Sequence, residues 1–552
     1  VPVAVPAAVP AAVAVPSEPA PADPATGPPA APAVPAAAAT TTPGAVGGAT
    51  APAAGIPDVA NRFVVTLADA PLGTSAAVDG QHVAVTGSGP LVTALGDELA
   101  RRGAAGGGAG GGTVVVTDLL EPGGTVDMPE LYARIRPILL DSASDVVVVT
   151  PLGGGLGIDP PAPRPAGGDL DVVPHGAGAR GLVKTAALEF PDRRIRLVDV
   201  DPATPVAELA ATLADEVQQA DAPVEVAWRD GRRRASRITP RPAAPRRVDR
   251  PLSGASTVLL TGGARGITAR IALAMATATG CHVELVGRSA QPQGDEDPAL
   301  AAAADRPALR TALIGAGWRE PKAIEKECDR LLAEREVAAS LAALSAVAAT
   351  VTYHQVDVRD AGALAATVDG IYARRGRLDG IVHGAGVVDD HFIADKDPDA
   401  FARVFATKTD AARTLLGTVR RHVAGGRPRP AFVALFGSIA GVCGNRGQVD
   451  YAAANDALDT IAASNADVAD RVFAVDWGPW SSEAGMVSDA LAKLFEGSGM
   501  GLIALDDGAA VLLDEIATTG NGAGPEPHQV TVARCAPELM AAALGSTVGG
   551  GG

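Results

Sequence analysis

STVLLTGGARGIT, Ser256–Thr268, runs an apolar strand-like stretch into a glycine turn and then into the first residues of a helix. Gly262 and Gly263 permit the tight turn, and Gly266 opens the helix. Bare backbone there lets a diphosphate come close, and its charge rests on the helix N-terminus. Thr261, Arg265 and Ile267 complete the loop, while Thr268 stands where many such fingerprints carry a third glycine. A glycine loop also occurs in purely structural turns, so the decision rests on the segments downstream of Thr268.

Those segments repeat strand and helix. HVELVGRS is a second strand ending in Arg288-Ser289, a position where an acid binds a ribose 2′-hydroxyl and a cation suits a 2′-phosphate. This favours NADPH over NADH. TYHQVDVRD is a third strand, with Asp357-Val358 at its end beside the expected adenine. LDGIVHGAG is a fourth, and Gly384, Ala385 and Gly386 let backbone approach the cofactor. PAFVALFGSIAG and RVFAVDWGPW supply further strands. The alternation predicts an α/β doubly wound parallel sheet. Residues 289–350 are long, Ala-rich and helical in pattern, and read as a helical insertion.

Four polar residues lie beyond the nucleotide-binding start. Lys408 lies in the helical FARVFATKTDAARTLL, and Ser438 ends the strand FVALFGS. Tyr451 and Asn455, in DYAAANDALD, stand four apart on one helical face. Carbonyl reduction needs these types. A Tyr hydroxyl donates a proton to the oxygen that gains charge, a Ser hydroxyl adds a second hydrogen bond, and a nearby Lys⁺ is expected to lower the Tyr pKa from about 10. An Asn fixes the Lys or a relay water. Singly these residues read as a strand cap, a solvated Lys, a surface Asn and a core Tyr; their order and placement give them the catalytic reading.

The second half resembles the ketoreductase domain of modular polyketide synthases and polyunsaturated-fatty-acid synthases, a branch of the short-chain dehydrogenases. The resemblance is carried by TGGARGIT, GRS, HGAGVVDD, KTDAARTLL, GSIAGVCGNRGQVDYAAANDALD and VDWGPW. Relatives outside the megasynthases carry Tyr-x-x-x-Lys. Here Asn455 takes that place and Lys408 comes earlier, as in the megasynthase branch. GAGWREPK and GMVSDALAKLFEGSGMGLIAL resemble the polyunsaturated-fatty-acid subgroup. The resemblance implies NADPH-dependent reduction of a β-ketoacyl thioester carried on the phosphopantetheine of an acyl carrier protein, among neighbouring megasynthase domains. Lys408 and Tyr451 would also contact the cofactor. The loop WGPWSSEAGM, with Trp480 and Met486, would close over the substrate. In that family, product configuration follows an Asp ending a Leu-Asp-Asp-like motif and a Trp eight residues before the Tyr. Here Val388 precedes Asp389 and Asp390, and Cys443 replaces the Trp, which implies a B-type, D-configured hydroxyl.

The first half then falls into place. Residues 56–250 contain the strand candidates HVAVTGSG, TVVVTDLL, DVVVVTPLGG and IRLVDVD. They also contain a hairpin turning at Asp230-Gly231. GLVKTAALEFPDRRIRLVDVD resembles the truncated, non-catalytic Rossmann-like subdomain that precedes the catalytic one in this family. Its TGSGPLV places Pro90 where a working phosphate loop needs an N–H. The expected architecture is thus two Rossmann-like units: a structural subdomain at 56–250 and a catalytic subdomain at 251–545 with its insertion. Residues 1–55, nearly all Ala, Pro, Val and Thr, read as an interdomain linker, although the composition fits an ordinary tail equally well. Residues 546–552 form a Gly-rich tail. The absence of a starting Met, with that tail, reads as an excised fragment.

Bulk properties agree. The 552 residues exceed one typical folding unit, and a formal charge of −17 argues against nucleic acid. Only six of the 46 basic residues are lysine, which makes Lys408 informative. Cys281, Cys328, Cys443 and Cys535 show no metal-site spacing, so a reduced, cytoplasmic protein without a metal is expected. No apolar run is long enough for a membrane span. The rival reading is a scaffold domain that keeps the fold without activity.

Overall fold

The computed structural model describes residues 56–545, except 76, 107–111, 122–125, 142, 160–171, 221, 244–251, 292–295, 482–488 and 519–525. The expected linker at 1–55 and tail at 546–552 lie outside the described residues.

Fifteen strands form one sheet among these residues. In chain order they are β1 (Asn61–Asp69), β2 (His82–Thr86), β3 (Ala105–Gly106), β4 (Thr113–Val116) and β5 (Asp145–Thr150). Next come β6 (Ile195–Val200), β7 (Glu225–Arg229), β8 (Arg232–Pro240), β9 (Thr257–Thr261) and β10 (His282–Gly287). The last are β11 (Thr350–Gln355), β12 (Gly380–His383), β13 (Phe432–Ser438), β14 (Arg471–Trp477) and β15 (Gln529–Ala533). Their spatial order is β11-β10-β9-β12-β13-β14-β15-β1-β8-β7-β6-β5-β4-β2-β3.

From β11 to β15 every neighbouring pair is parallel. The inner strands of such a sheet are covered on both faces and so read as largely apolar runs. All five residues of β9 are buried. Leu259 packs into the core with Ile381 and Phe401, while Val258 and Leu260 pack into the opposite one with Ile271 and Leu512. Helices Pro398–Ala424 and Val449–Ser464 cover the first face, and Gly266–Thr279 and Leu505–Ala517 the second. Strand order reverses at β9, which lies between β10 and β12. Crevices at such reversals, at the carboxyl ends of the strands, are where ligands bind in sheets of this kind.

Three helices, Pro298–Ala301, Arg306–Gly315 and Pro321–Ser345, occupy the stretch between β10 and β11. Asp297 and Asp305 cap the first two by accepting backbone N–H groups. They build a satellite core with Leu309, Leu313, Ile324 and Cys328. The long third helix drives Val337 and Leu344 into the core that contains β9 and β10.

β7 and β8 form the expected hairpin, with Asp230 at φ 53° and Gly231 at φ 69°, the left-handed pair that a two-residue turn requires. β1 and β15 were not anticipated from the sequence. β1 pairs antiparallel with both β8 and β15 and so joins the two halves into one sheet. The helices join them too. Helix Ala179–Glu189 lies so close to Val449–Ser464 that a Cβ on Gly181 would come within 2.2 Å of the Ala452 oxygen. Across that contact the buried Arg180 guanidinium meets Glu225 at 2.9 Å and Asp456 at 3.3 Å. This buried ion cluster ties the two helices together across their contact.

Candidate active site

The glycine turn sits where the strand order reverses. β9 ends at Thr261, and Gly262 (φ 75°) donates its N–H to the Val286 oxygen at 2.7 Å. A Cβ on Gly262 would meet the Ala385 backbone at 3.2 Å, and one on Gly384 would meet Thr268 Oγ1 at 2.4 Å. The loops after β9 and β12 therefore touch backbone to backbone, which only glycines allow. A Cβ on Gly263 would meet Leu285 at 2.7 Å, and one on Gly386 would meet the Lys408 side chain at 3.1 Å. Ile267 packs at the edge of the core beneath. Thr261 Oγ1 and the buried His383 ring lie 2.7 Å apart, and the other ring nitrogen reaches the Lys408 oxygen at 3.0 Å. Burial pushes His383 down to about 3, so it is neutral and ties strand ends to helix.

Arg265 is extended, and helix Gly266–Thr279 begins after it. Arg288 is exposed beyond β10. The Ser289 oxygen accepts from the Tyr353 hydroxyl at 2.6 Å, which anchors that turn. Asp357 lies beyond the end of β11 rather than within it. Its hydrogen bond with Arg359, 2.6 Å, holds the carboxyl below its usual range. Val358 is buried. Permissive backbone, a helix N-terminus and the exposed Arg288 beyond the next strand fit a phosphorylated dinucleotide.

Lys408, Ser438, Tyr451 and Asn455 come from helix Pro398–Ala424, the end of β13 and helix Val449–Ser464. Lys408 Nζ lies 5.7 Å from the centre of the Tyr451 ring and donates to the Phe436 oxygen at 2.6 Å. Burial lowers Lys408 to about 8, against the pull of Asp476 and Asp459. The expected lowering of Tyr451 is not what the structure shows. Burial raises its hydroxyl, opposed by hydrogen bonding to Ser438 and Asn455. Ser438 is also a strand-end cap, accepting from the Ala440 N–H at 3.2 Å. Asn455 Nδ2 donates to the Tyr451 main-chain oxygen at 2.6 Å, and its Oδ1 is buried without a partner of ordinary geometry.

Sequence reasoning missed the acids behind Lys408. Asp476, on β14, lies against the backbone of Gly437, where a Cβ would meet Oδ1 at 2.2 Å. Gln529 Nε2 donates to Asp476 at 2.9 Å and to Asp459 at 2.7 Å. Burial raises both carboxyls, Asp476 to about 7. An acid near the end of the otherwise apolar VFAVDW was the available signal.

The residues expected to orient substrate do not all meet at the site. Asp390 is exposed, accepts from Gln448 Nε2 at 2.9 Å, and lies near enough to Tyr451 for its charge to raise that hydroxyl. Cys443 packs against an internal cluster with Met500 and Cys535, and burial pushes its thiol up to about 12. Trp480, expected to line the substrate groove, is instead a core residue at 4 % exposure. Its ring fills the space beside Gly508, where a Cβ would come within 2.1 Å, and tilts against Trp477 at 4.8 Å. Met486 lies outside the described residues. Among the described residues no group of His, Cys, Asp or Glu could hold a metal, and no helix is long and apolar enough to cross a membrane.

Residues 256–482 match the family model of the KR domain. A polyunsaturated fatty acid synthase subunit from Thraustochytrium sp. is 32% identical over 358 residues, 62% of this chain and 12% of that protein. The pikromycin polyketide synthase component PikAIII of Streptomyces venezuelae is 30% identical over 384 residues, 66% of this chain and 21% of that protein. The chain thus spans only a small part of these relatives. Among solved structures, the PlmKR1 ketoreductase from the first module of phoslactomycin biosynthesis in Streptomyces sp. HK803 superposes with a TM-score of 0.63 at 23% identity, covering 89% of this chain and 97% of that one. A structure of A-type ketoreductases from a modular polyketide synthase gives 0.64 at 23% identity, covering 89% and 96%. These superpositions establish the fold, a mostly parallel α/β sheet of the Rossmann-like type. Residues 256–482 thus match the KR domain family, and the relatives that resemble this chain are polyketide and polyunsaturated fatty acid synthase subunits.

Proposed function

We propose that this chain reduces a β-ketoacyl thioester, presented on an acyl carrier protein, to the β-hydroxyacyl thioester, with NADPH as cofactor and neighbouring megasynthase domains as partners. The observation that carries the reading is the convergence of Lys408, Ser438 and Tyr451 beside the glycine turn at the strand-order reversal. When bound, NADPH supplies the hydride. Gly262, Gly263 and Gly266 admit its diphosphate, Arg288 and Ser289 face the ribose phosphate, Asp357 and Val358 border the adenine, and Gly384, Ala385 and Gly386 line the nicotinamide end.

Tyr451 gives its proton to the carbonyl oxygen as charge develops there, and Ser438 holds the same oxygen. Lys408, cationic below about pH 8, stabilises the phenolate left behind and is placed to reach the ribose. The unfilled Oδ1 of Asn455 suits a water that returns the proton. Asp390, beside Tyr451, guides the acyl chain, and the product is the D-configured, B-type alcohol. Residues 56–250 act as a structural subdomain that buttresses the Tyr451 helix, and residues 251–545 as the catalytic one.

Replacing Tyr451 by Phe tests the assignment. Reduction should fall by at least about a hundredfold, the usual worth of a general acid, while NADPH binding and folding persist. Turnover above a hundredth of wild type removes Tyr451 from the role. A wild-type chain that binds NADPH yet reduces none of a panel of β-ketoacyl thioesters would favour the inactive scaffold.

A further inference from the structure

The insertion between β10 and β11 delivers a carboxylate to the helix N-terminus at the glycine turn. Gly266 N–H, the first of helix Gly266–Thr279, donates to Glu336 Oε1 at 2.7 Å. Arg265 Nε donates to Glu336 Oε2 at 2.8 Å. Glu336 comes from the long insertion helix Pro321–Ser345, 70 residues further along the chain. Its neighbour Val337 is fully buried in the core, so the helix backbone that carries Glu336 is held in place.

The chemistry of this contact is that of phosphate recognition. An anion accepts from a helix N–H that has no partner within its own helix and from a guanidinium, on the positive end of the helix dipole. Both partners remain half exposed, Arg265 at 49% and Glu336 at 41%, so the pair contributes little to stability. The Glu336 carboxylate takes the donors that a diphosphate would use.

We propose that Glu336 is a built-in competitor for the cofactor's diphosphate, so that the insertion helix sets NADPH affinity. The inference rests on the nucleotide-site reading given above. The single Gly266 N–H cannot serve two anions at once, and Glu336 already takes Nε of Arg265. The carboxylate must swing away before the diphosphate docks, and an exposed side chain on an anchored helix can do so by changing rotamer. In the free protein it keeps the N–H and Arg265 satisfied.

Direct binding on the full chain tests this, with NADPH fluorescence or calorimetry as the readout and no turnover required. Wild type, Glu336→Gln and Glu336→Ala are titrated with NADPH and with adenosine 2′-monophosphate, which lacks the diphosphate. Both variants should bind NADPH about three- to tenfold tighter, the worth of one partly exposed charged contact, and adenosine 2′-monophosphate unchanged. Unchanged or weaker NADPH binding overturns the proposal. Equal tightening for both ligands overturns it as well, because the effect is then general electrostatics. If no form of the chain binds either ligand, the nucleotide-site reading itself falls, a result distinct from the other two.

Discussion

The ammonium of Lys408 stands 5.7 Å from the centre of the Tyr451 ring, while its hydrogen bond goes to the Phe436 main chain. The cation thus lies over the ring of the phenol, and its position is set by the hydrogen bond to β13. Burial raises Tyr451 and lowers Lys408. On the proposed mechanism the pair serves reduction only while the lysine keeps its proton.

The pH profile rests on that proton. Lys408 has a lowered pKa of about 8, so it is charged below that value and neutral above it. As pH rises through about 8, kcat/KM should begin to fall, approaching tenfold per pH unit. Initial rates from pH 6 to 10 check this, and a level profile to pH 10 would separate Lys408 from catalysis.

Arg288 is exposed beyond β10, where the proposed reading puts the 2′-phosphate of NADPH. Arg288→Ala should weaken NADPH by about 1.5–3 kcal/mol, the worth of a hydrogen bond to a charged group, and leave NADH nearly unchanged. Parallel titrations with the two cofactors decide it. Equal losses for both place Arg288 elsewhere.

Configuration is tested at Asp390. Chiral chromatography of the product from a simple unbranched β-ketoacyl thioester should show the D alcohol in excess, and Asp390→Ala should erode that excess. A predominantly L product rules out the assignment. Unchanged selectivity in the variant shows that Asp390 is not its cause.

The parts of the fold legible in the sequence were those in which one segment carries the whole signal. β9 is buried on both faces and runs straight into its glycine turn, so STVLLTGGARGIT reads as strand, loop and helix without help. Tyr451 and Asn455 share a helix face by spacing alone. What stayed hidden depends on segments far apart. β15 is five residues long and gains its identity by pairing with β1, at the other end of the described chain. Glu336 is one charge among nine on its helix, and only folding brings it to Gly266. Trp480 belongs to a motif expected at the substrate, yet the small Gly508 leaves room for its indole in the core. Tyr451 was expected to be lowered by a neighbouring lysine, and burial instead raises it against the hydrogen bonds of Ser438 and Asn455.

The seam between β1 and β15 also bears on how the protein is made. Asn61 bonds to the oxygen of Cys535, 474 residues later. At ordinary translation rates that gap is roughly half a minute to a minute and a half, during which β1 has left the ribosome and its partner has not been synthesised. Until then β1 and β14 each present a bare edge, the kind of surface that recruits stray strands from other nascent chains. A gene fragment trimmed to the matched stretch, ending at residue 482, would encode all four polar residues of the candidate site and still leave β14 without β15.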